Sequence, residues 1–270
     1  MIDKGGDKEL IMFLSGMGGT GKSEVIKAFV YFAKGISIAF SWVYDNDVIK
    51  ITALTGSAAC EIPNGRTLHS QVGLSHRKIS SKLKETWITT KMIIIDEVSF
   101  LDEDNIRKLD KHMRMLKEDD SMYGWVHIVF VGDFFQMLPV RGSPLFKGNT
   151  LQFNAINRAV LLNVSHRFEK DPQYGEIMRR FRIGKVTKED IQCVNSRYYE
   201  NSDVTLPTIT NVRCACYMND ERNAYNNTVF LEHLKATHEL ANDNCTTSPK
   251  HTCIITVSYT HLTLPTIYSV

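Results

Sequence analysis

The chain has 270 residues, 43% of them hydrophobic and 23% charged, and a formal charge of +2. This length and composition suit one large or two smaller globular domains with a sizeable core, and exclude a disordered chain or a coiled coil. The near-neutral charge excludes a generally basic nucleic-acid glue, so any such contact would have to be a local groove.

Residues 9–16, ELIMFLSG, read as a buried strand. The segment after it places Val25, Ile26, Phe29, Val30 and Ala33 on one side of an amphipathic helix. VIKITALTG (48–56), KMIIIDEV (91–98) and WVHIVFVGDF (125–134) are further apolar strands. Between the last two, Asp102 is the expected N-cap of a helix carrying Ile106, Leu109, Met113 and Leu116 at helical spacing. Strands that are apolar on both faces and alternate with helices predict an α/β fold, with a parallel sheet covered on both sides.

The second half begins near residue 165. PQYGEIMRRFRIGKVTKEDIQCVNSRYY reads as two helices around a turn at Gly184-Lys185, followed by a strand at VRCACYM (212–218) and a helix over 219–236 with an Asn/Asp start. The cysteines at 60, 193, 214, 216, 245 and 253 form no CxxC pair. Cys214 and Cys216 would share one side of a strand, and the spacing of His233 and His238 suits a shared helix face poorly. Buried, reduced thiols in an intracellular protein are therefore expected. No stretch has the length of a membrane span, and no signal-peptide pattern opens the sequence.

Residues 257–270, VSYTHLTLPTIYSV, contain no Asp, Glu, Lys or Arg. Their first ten residues resemble the in-frame translation of a transposase-type sequencing adaptor. They are expected to be an assembly scar, with the native sequence continuing past about residue 256.

The chemistry is concentrated in three stretches. GMGGTGKS, residues 16–23, fits the phosphate-binding loop and lies between a predicted strand and a predicted helix. Gly16, Gly18, Gly19, Thr20 and Gly21 form the turn, whose backbone N–H groups can cradle phosphate at a helix N-terminus. Lys22 would reach the β- and γ-phosphates of ATP, and the Ser23 hydroxyl would bind Mg²⁺. In MIIIDEVS (92–99), Asp96 suits the Mg²⁺ shell, and Glu97 suits the orientation and deprotonation of an attacking water. In VFVGDFFQMLPV (129–140), a core strand ends in the amide of Gln136. An amide there can bond both a γ-phosphate oxygen and the attacking water, and so detect cleavage. SHRFEK offers Arg167, at the junction of the halves, as a candidate arginine finger for the charge that develops in phosphoryl transfer, with an ordinary surface arginine as the alternative.

GMGGTGKS, TALTGSAAC, GRTLHS, IIIDEVS, GDFFQMLPV and NVSHRF, in that order, resemble a superfamily 1 DNA helicase of the Pif/RecD type, especially the helicase modules of Helitron-like elements. The resemblance runs over about residues 9–240 and includes MNDERNAYNNTVFLEHLKATH. It implies a RecA-like P-loop ATPase domain over 1–164, with a small wedge-like insertion at about 72–88. The start of a second, incomplete RecA-like domain would follow over 165–256. It further implies ATP-driven 5′-to-3′ movement on single-stranded DNA, action at duplex junctions, and work in DNA repair, recombination and telomere maintenance. The setting would be nuclear or mitochondrial in a eukaryote, with a monomer favoured.

By the same resemblance Thr55, Ser57, Arg66, Thr67 and His69 contact single-stranded DNA, and His69 and Phe135 are suited to stack on bases. Ordinary loop and N-cap chemistry is the alternative for these residues. The family's adenine-reading glutamine motif and its two late motifs do not occur in this sequence. The chain is accordingly expected to be a fragment that does not unwind a duplex alone; the alternatives are a P-loop ATPase switch that regulates a partner and a degenerate transposon-derived DNA-binding relic.

Overall fold

The computed structural model describes residues 9–39, 45–62, 64–76, 78–139, 142–196, 216 and 218–242. Most of the strand expected at 212–218 lies outside the described residues, as do the tail at 257–270, Cys214, Cys245 and Cys253. The chain divides into two compact units, Met1–Val186 and Thr187–Val270.

In the first unit β1 (Ile11–Gly16) leads into α1 (Lys22–Ala39), then β2 (Ile49–Ala53) and α2 (Gly56–Glu61). The two-residue β3 (Arg66–Thr67) is followed by the short helices α3 (Leu68–Val72) and α4 (Ser81–Glu85). Next come β4 (Met92–Asp96), α5 (Glu103–Lys117), β5 (His127–Gly132), α6 (Leu151–Asn154), β6 (Arg158–Leu162) and α7 (Pro172–Arg182). The strands form one six-stranded sheet in the order β3-β2-β4-β5-β1-β6, and every pairing is parallel.

The alternation of side chains along a strand explains the two-sided core. Ile93 and Ile95 of β4, with Ile128 and Phe130 of β5, pack on one face against Ile106, Leu109 and Met113 of α5. Ile94, Val129 and Val131 pack on the other face with Met12, Leu14 and Ile26 of α1. The Asp102 carboxylate caps α5 by accepting from the Asn105 backbone N–H at 2.7 Å. The four apolar positions expected on α5, Ile106, Leu109, Met113 and Leu116, are all buried.

The segment 72–88 carries α4 and ends on a core anchor. Trp87 is fully buried and donates its indole N–H to the Gln71 carbonyl at 3.1 Å, while the Lys50 ammonium lies 5.4 Å over its ring. β6 is an edge strand with exposed side chains at Val160 and Leu161, and it pairs only with β1 among the described strands.

In the second unit the described elements are α8 (Lys188–Asn195) and α9 (Asn219–Asn242). Thr187 and Asp190 form a reciprocal capping box at the start of α8. The expectation of buried thiols is corrected. Cys60 on α2 and Cys193 on α8 are free but exposed, and Cys216 is half-buried. The buried residue of α2 is Ala59, which turns the neighbouring Cys60 outward.

Candidate active site

Because all six strands are parallel, they all end at one edge of the sheet. The residues singled out in the sequence lie on the strand ends or on the loops that leave that edge. β1 leads to the glycine loop, β2 to Thr55 and Ser57, and β3 to His69. β4 leads to Asp96 and Glu97, β5 to Phe135 and Gln136, and β6 to Arg167.

The glycine loop can be built only with glycines at its key positions. Gly19 (φ 78°) and Gly21 (φ 87°) are left-handed, a conformation that a Cβ strains. A Cβ on Gly16 would stand 2.4 Å from the Thr20 hydroxyl oxygen, which itself donates to the Met17 carbonyl. α1 starts at Lys22, so the free N–H groups of its first turn open toward the loop. The Lys22 ammonium donates to the carbonyls of Gly16 (2.7 Å) and Met17 (3.1 Å). Burial lowers the Lys22 pKa below the ordinary lysine value, against the opposing pull of Glu97, Asp133 and Asp96.

At the end of β4, Glu97 adopts a left-handed backbone (φ 57°), and its N–H donates to the Asp96 carboxylate at 2.9 Å. Both acids are half-buried. Burial raises the Asp96 pKa above the usual aspartate range, opposed by the Glu97 N–H and by Lys22. Burial and then the Asp96 charge raise Glu97 as well.

The loop after β5 divides its two aromatics. Phe134 turns inward, where its ring meets Phe13 (5.2 Å), Phe146 (5.5 Å) and Phe153 (5.7 Å) between centroids. Phe135 turns outward and is 63% exposed. Between them and the strand sits Asp133, only 1% exposed. It accepts from the Phe135 backbone N–H (3.1 Å), the Gln136 amide (3.4 Å) and the two arms of Arg182 (3.0 and 2.7 Å).

After β6 the chain lies directly on the glycine loop. The His166 N–H donates to the Gly19 carbonyl (2.8 Å), and the Ser165 hydroxyl donates to the Gly18 carbonyl (3.0 Å). A Cβ on Gly18 would stand 3.0 Å from an Arg167 guanidinium nitrogen and 3.9 Å from the Gln136 amide nitrogen. A Cβ on Gly19 would stand 2.3 Å from the Arg167 Cβ. The glycine loop, Gln136 and Arg167 therefore converge, with Asp96, Glu97 and Asp133 close enough for their charges to act on Lys22. Arg167 lies in the first compact unit, and its neighbours Ser165 and His166 bond to the glycine loop.

The remaining residues are placed differently. Thr55, Ser57, Arg66, Thr67 and His69 sit on the β2–β3 side of the sheet, with β4 and β5 between them and β1. Thr55 caps α2 by accepting from the Ala58 N–H (3.3 Å), and Thr67 caps α3 by accepting from the Ser70 N–H (3.4 Å). Two of the five thus perform the capping that the sequence left open as the alternative. Ser57, Arg66 and His69 are exposed.

Sequence reasoning missed Asp133, Ser165 and Arg182. A carboxylate placed directly after a buried strand is a signal, because a buried charge demands a cation. Nothing local identifies Arg182 as that cation.

This arrangement defines a P-loop protein of the RecA-like α/β class: a glycine cradle at the end of an inner parallel strand, with carboxylates at the end of a nearby one. A family model described as PIF1-like helicase matches residues 4–163. The chain is 30% identical over 202 residues to the ATP-dependent DNA helicase PIF1 of Emericella nidulans, covering 69% of this chain and 26% of that protein. It superimposes on the Pif1 helicase of Candida albicans with a TM-score of 0.58 and 27% identity, over 70% of this chain and 44% of that one. A Bacteroides Pif1 bound to single-stranded DNA gives 0.58 and 25%, over 69% and 46%. The chain belongs to the PIF1-like helicase family. It spans about a quarter of the length of the curated relatives it matches.

Proposed function

We propose that the chain is the ATP-hydrolysing part of a DNA helicase, coupling ATP cleavage to movement on single-stranded DNA. What carries the reading is the convergence of Lys22, Asp96, Glu97, Gln136 and Arg167 on one sheet edge around a cradle that only glycines can form.

The residues present fit ATP and Mg²⁺. A side chain at Gly16, Gly18 or Gly19 would run into Thr20 or Arg167 and break up the loop, and a serine hydroxyl and an aspartate are the oxygen donors that this ion prefers. Ser23 and Asp96 would hold Mg²⁺, which when bound neutralises charge on the β- and γ-phosphates. Gly18, Gly19 and Gly21 bind phosphate oxygens through backbone N–H groups, with Gly16 and Thr20 closing the loop. Glu97, whose proton affinity is raised by burial, takes a proton from the attacking water. The water oxygen bonds to the γ-phosphorus as the bond to the bridging oxygen breaks, leaving ADP and phosphate. Lys22 and Arg167 balance the charge that develops on the transferred group, and Gln136 holds the water against it.

Thr55, Ser57, Arg66, Thr67, His69 and Phe135 are proposed contacts to the strand, with hydroxyls and Arg66 on phosphates and the rings on bases. We further propose 5′-to-3′ polarity, duplex junctions as the site of action, and roles in repair, recombination and telomere maintenance. An intracellular setting follows, nuclear or mitochondrial in a eukaryotic cell. In the domain arrangement proposed, a RecA-like ATPase domain precedes the opening of a second one.

The test is ATP hydrolysis by the chain with and without a thymidine oligonucleotide, for the wild type and Gln136→Ala. Stimulation by DNA that Gln136→Ala abolishes supports the helicase reading. Hydrolysis indifferent to DNA makes the protein a nucleotide switch instead.

A further inference from the structure

We propose that Arg182, at the end of α7, is a positioning residue that holds Phe135 and Gln136 in one geometry, linking the strand-facing ring to the nucleotide-facing amide. The inference rests on the helicase reading for what the two side chains face, and on geometry for the link itself.

Arg182 makes two different contacts with the same loop. Its Nε and Nη2 donate to the two oxygens of Asp133 at 3.0 and 2.7 Å, a forked pair on a carboxylate that is 1% exposed. The same guanidinium lies 4.4 Å over the Phe135 ring. One face of Phe135 is therefore occupied by a cation. The ring is still 63% exposed, so its other face can receive a base, giving a stack of base, ring and guanidinium.

Asp133 completes the link. Its Oδ1 accepts both Arg182 Nη2 and the Phe135 N–H, while its Oδ2 accepts both Arg182 Nε and the Gln136 amide. The Gln136 contact is the longest of the four, at 3.4 Å, so it is the one most easily exchanged for another partner. When Gln136 turns to a phosphate or a water, Arg182 still holds the carboxylate and the ring, and the loop keeps its place. Lysine cannot substitute, because a single ammonium cannot both fork a carboxylate and lie flat on a ring.

The experiment compares the full chain with Arg182→Lys and Arg182→Ala. Amide hydrogen exchange over residues 133–136 is read against the glycine loop, together with ATP hydrolysis stimulated by a thymidine oligonucleotide. In Arg182→Lys the Phe135 and Gln136 amides should exchange about tenfold faster, with the loop at 16–21 unchanged, as expected for a lost charge-assisted bond. DNA-stimulated kcat should fall about tenfold, with KM for ATP held within about twofold.

Unchanged exchange at Phe135 and Gln136 in Arg182→Lys overturns the proposal, whatever the turnover does. Exchange that rises throughout the first unit also overturns it, because Arg182 would then be only a stabilising residue. Should Arg182→Ala not fold, Arg182→Lys carries the test. Should the wild type show no DNA stimulation, the helicase reading fails, and amide exchange still decides whether Arg182 positions the loop.

Discussion

Two buried aspartates in this protein have the same set of partners and serve different ends. Asp110 on α5 is 4% exposed and accepts from Arg114 Nε and Nη2 (2.9 Å each), the Tyr123 backbone N–H (2.7 Å) and the Gln152 amide (3.0 Å). Asp133 accepts from Arg182 Nε and Nη2, the Phe135 N–H and the Gln136 amide. Each is served by a guanidinium fork, one backbone N–H and one glutamine amide.

What separates them lies at the far ends of the partners. Tyr123 is fully buried and packs edge-on to Phe130, while Gln152 belongs to α6. The Asp110 network thus closes on the core and joins α5, α6 and the turn at residues 122–125. Phe135 and Gln136 instead reach solvent beside the glycine loop, so the Asp133 network ends in groups that can take new partners. The same chemistry ties a core in one place and holds a solvent-facing loop in the other.

The contrast extends to proton binding. Burial alone would raise the Asp110 pKa, but the bonds from Arg114, Gln152 and Tyr123 outweigh it and hold the carboxyl below the ordinary aspartate value of 3.8. Its stabilising contribution is present above that value and is lost as pH falls through the folded value. Asp96 and Glu97 are raised, with burial as the first cause. Their sign is opposite: they favour the folded state in acid, and that advantage disappears as pH rises through their folded values. At neutral pH the two site carboxylates therefore cost stability where Asp110 contributes it.

The largest expected effect sharpens this contrast. Glu97→Gln should lower ATP turnover by about a thousandfold, the loss of a general base, while raising unfolding stability at pH 7 by about 1 kcal/mol. Urea denaturation at pH 7 and pH 5 checks the sign, since the gain should shrink toward acid pH. A variant both inactive and less stable would place Glu97 with Asp110 as a structural group. The smallest effect concerns the β2–β3 side. Thr67→Ala should cost about 1 kcal/mol through loss of the α3 cap, and Thr67→Ser should restore it. Oligonucleotide affinity that falls in Thr67→Ala and returns in Thr67→Ser, at a temperature where both are folded, would give Thr67 a second role on the strand.

Much of the fold was legible because it is local. β1, β4 and β5 are apolar on both faces, β2 is apolar on one and buries Lys50 and Thr52 on the other, and the helical spacing of Ile106, Leu109, Met113 and Leu116 identified α5. β6 was missed because it is a short edge strand with exposed side chains, defined by its pairing to β1. Trp87 was hidden at the end of a basic stretch, where nothing nearby in sequence reveals that its ring closes the core.

The site divides the same way. Lys22, Asp96, Glu97 and Gln136 follow strands and could be read in order. Arg182 lies 49 residues from Asp133, and its pairing emerges only when α7 meets the loop after β5. The placement of Arg167 against Gly18 and Gly19 likewise depends on the pairing of β6 with β1, which carries Ser165 and His166 onto the loop.

The most direct test is a matched pair, Asp110→Asn and Asp133→Asn, each measured for unfolding stability and for DNA-stimulated ATP hydrolysis at a temperature where both are folded. Asp110→Asn should lose the greater stability while keeping its stimulated turnover, and Asp133→Asn should lose most of its stimulated turnover with the smaller change in stability. Stability and stimulated turnover falling in the same proportion in both variants would contradict the account, leaving Asp133 as a second structural tie.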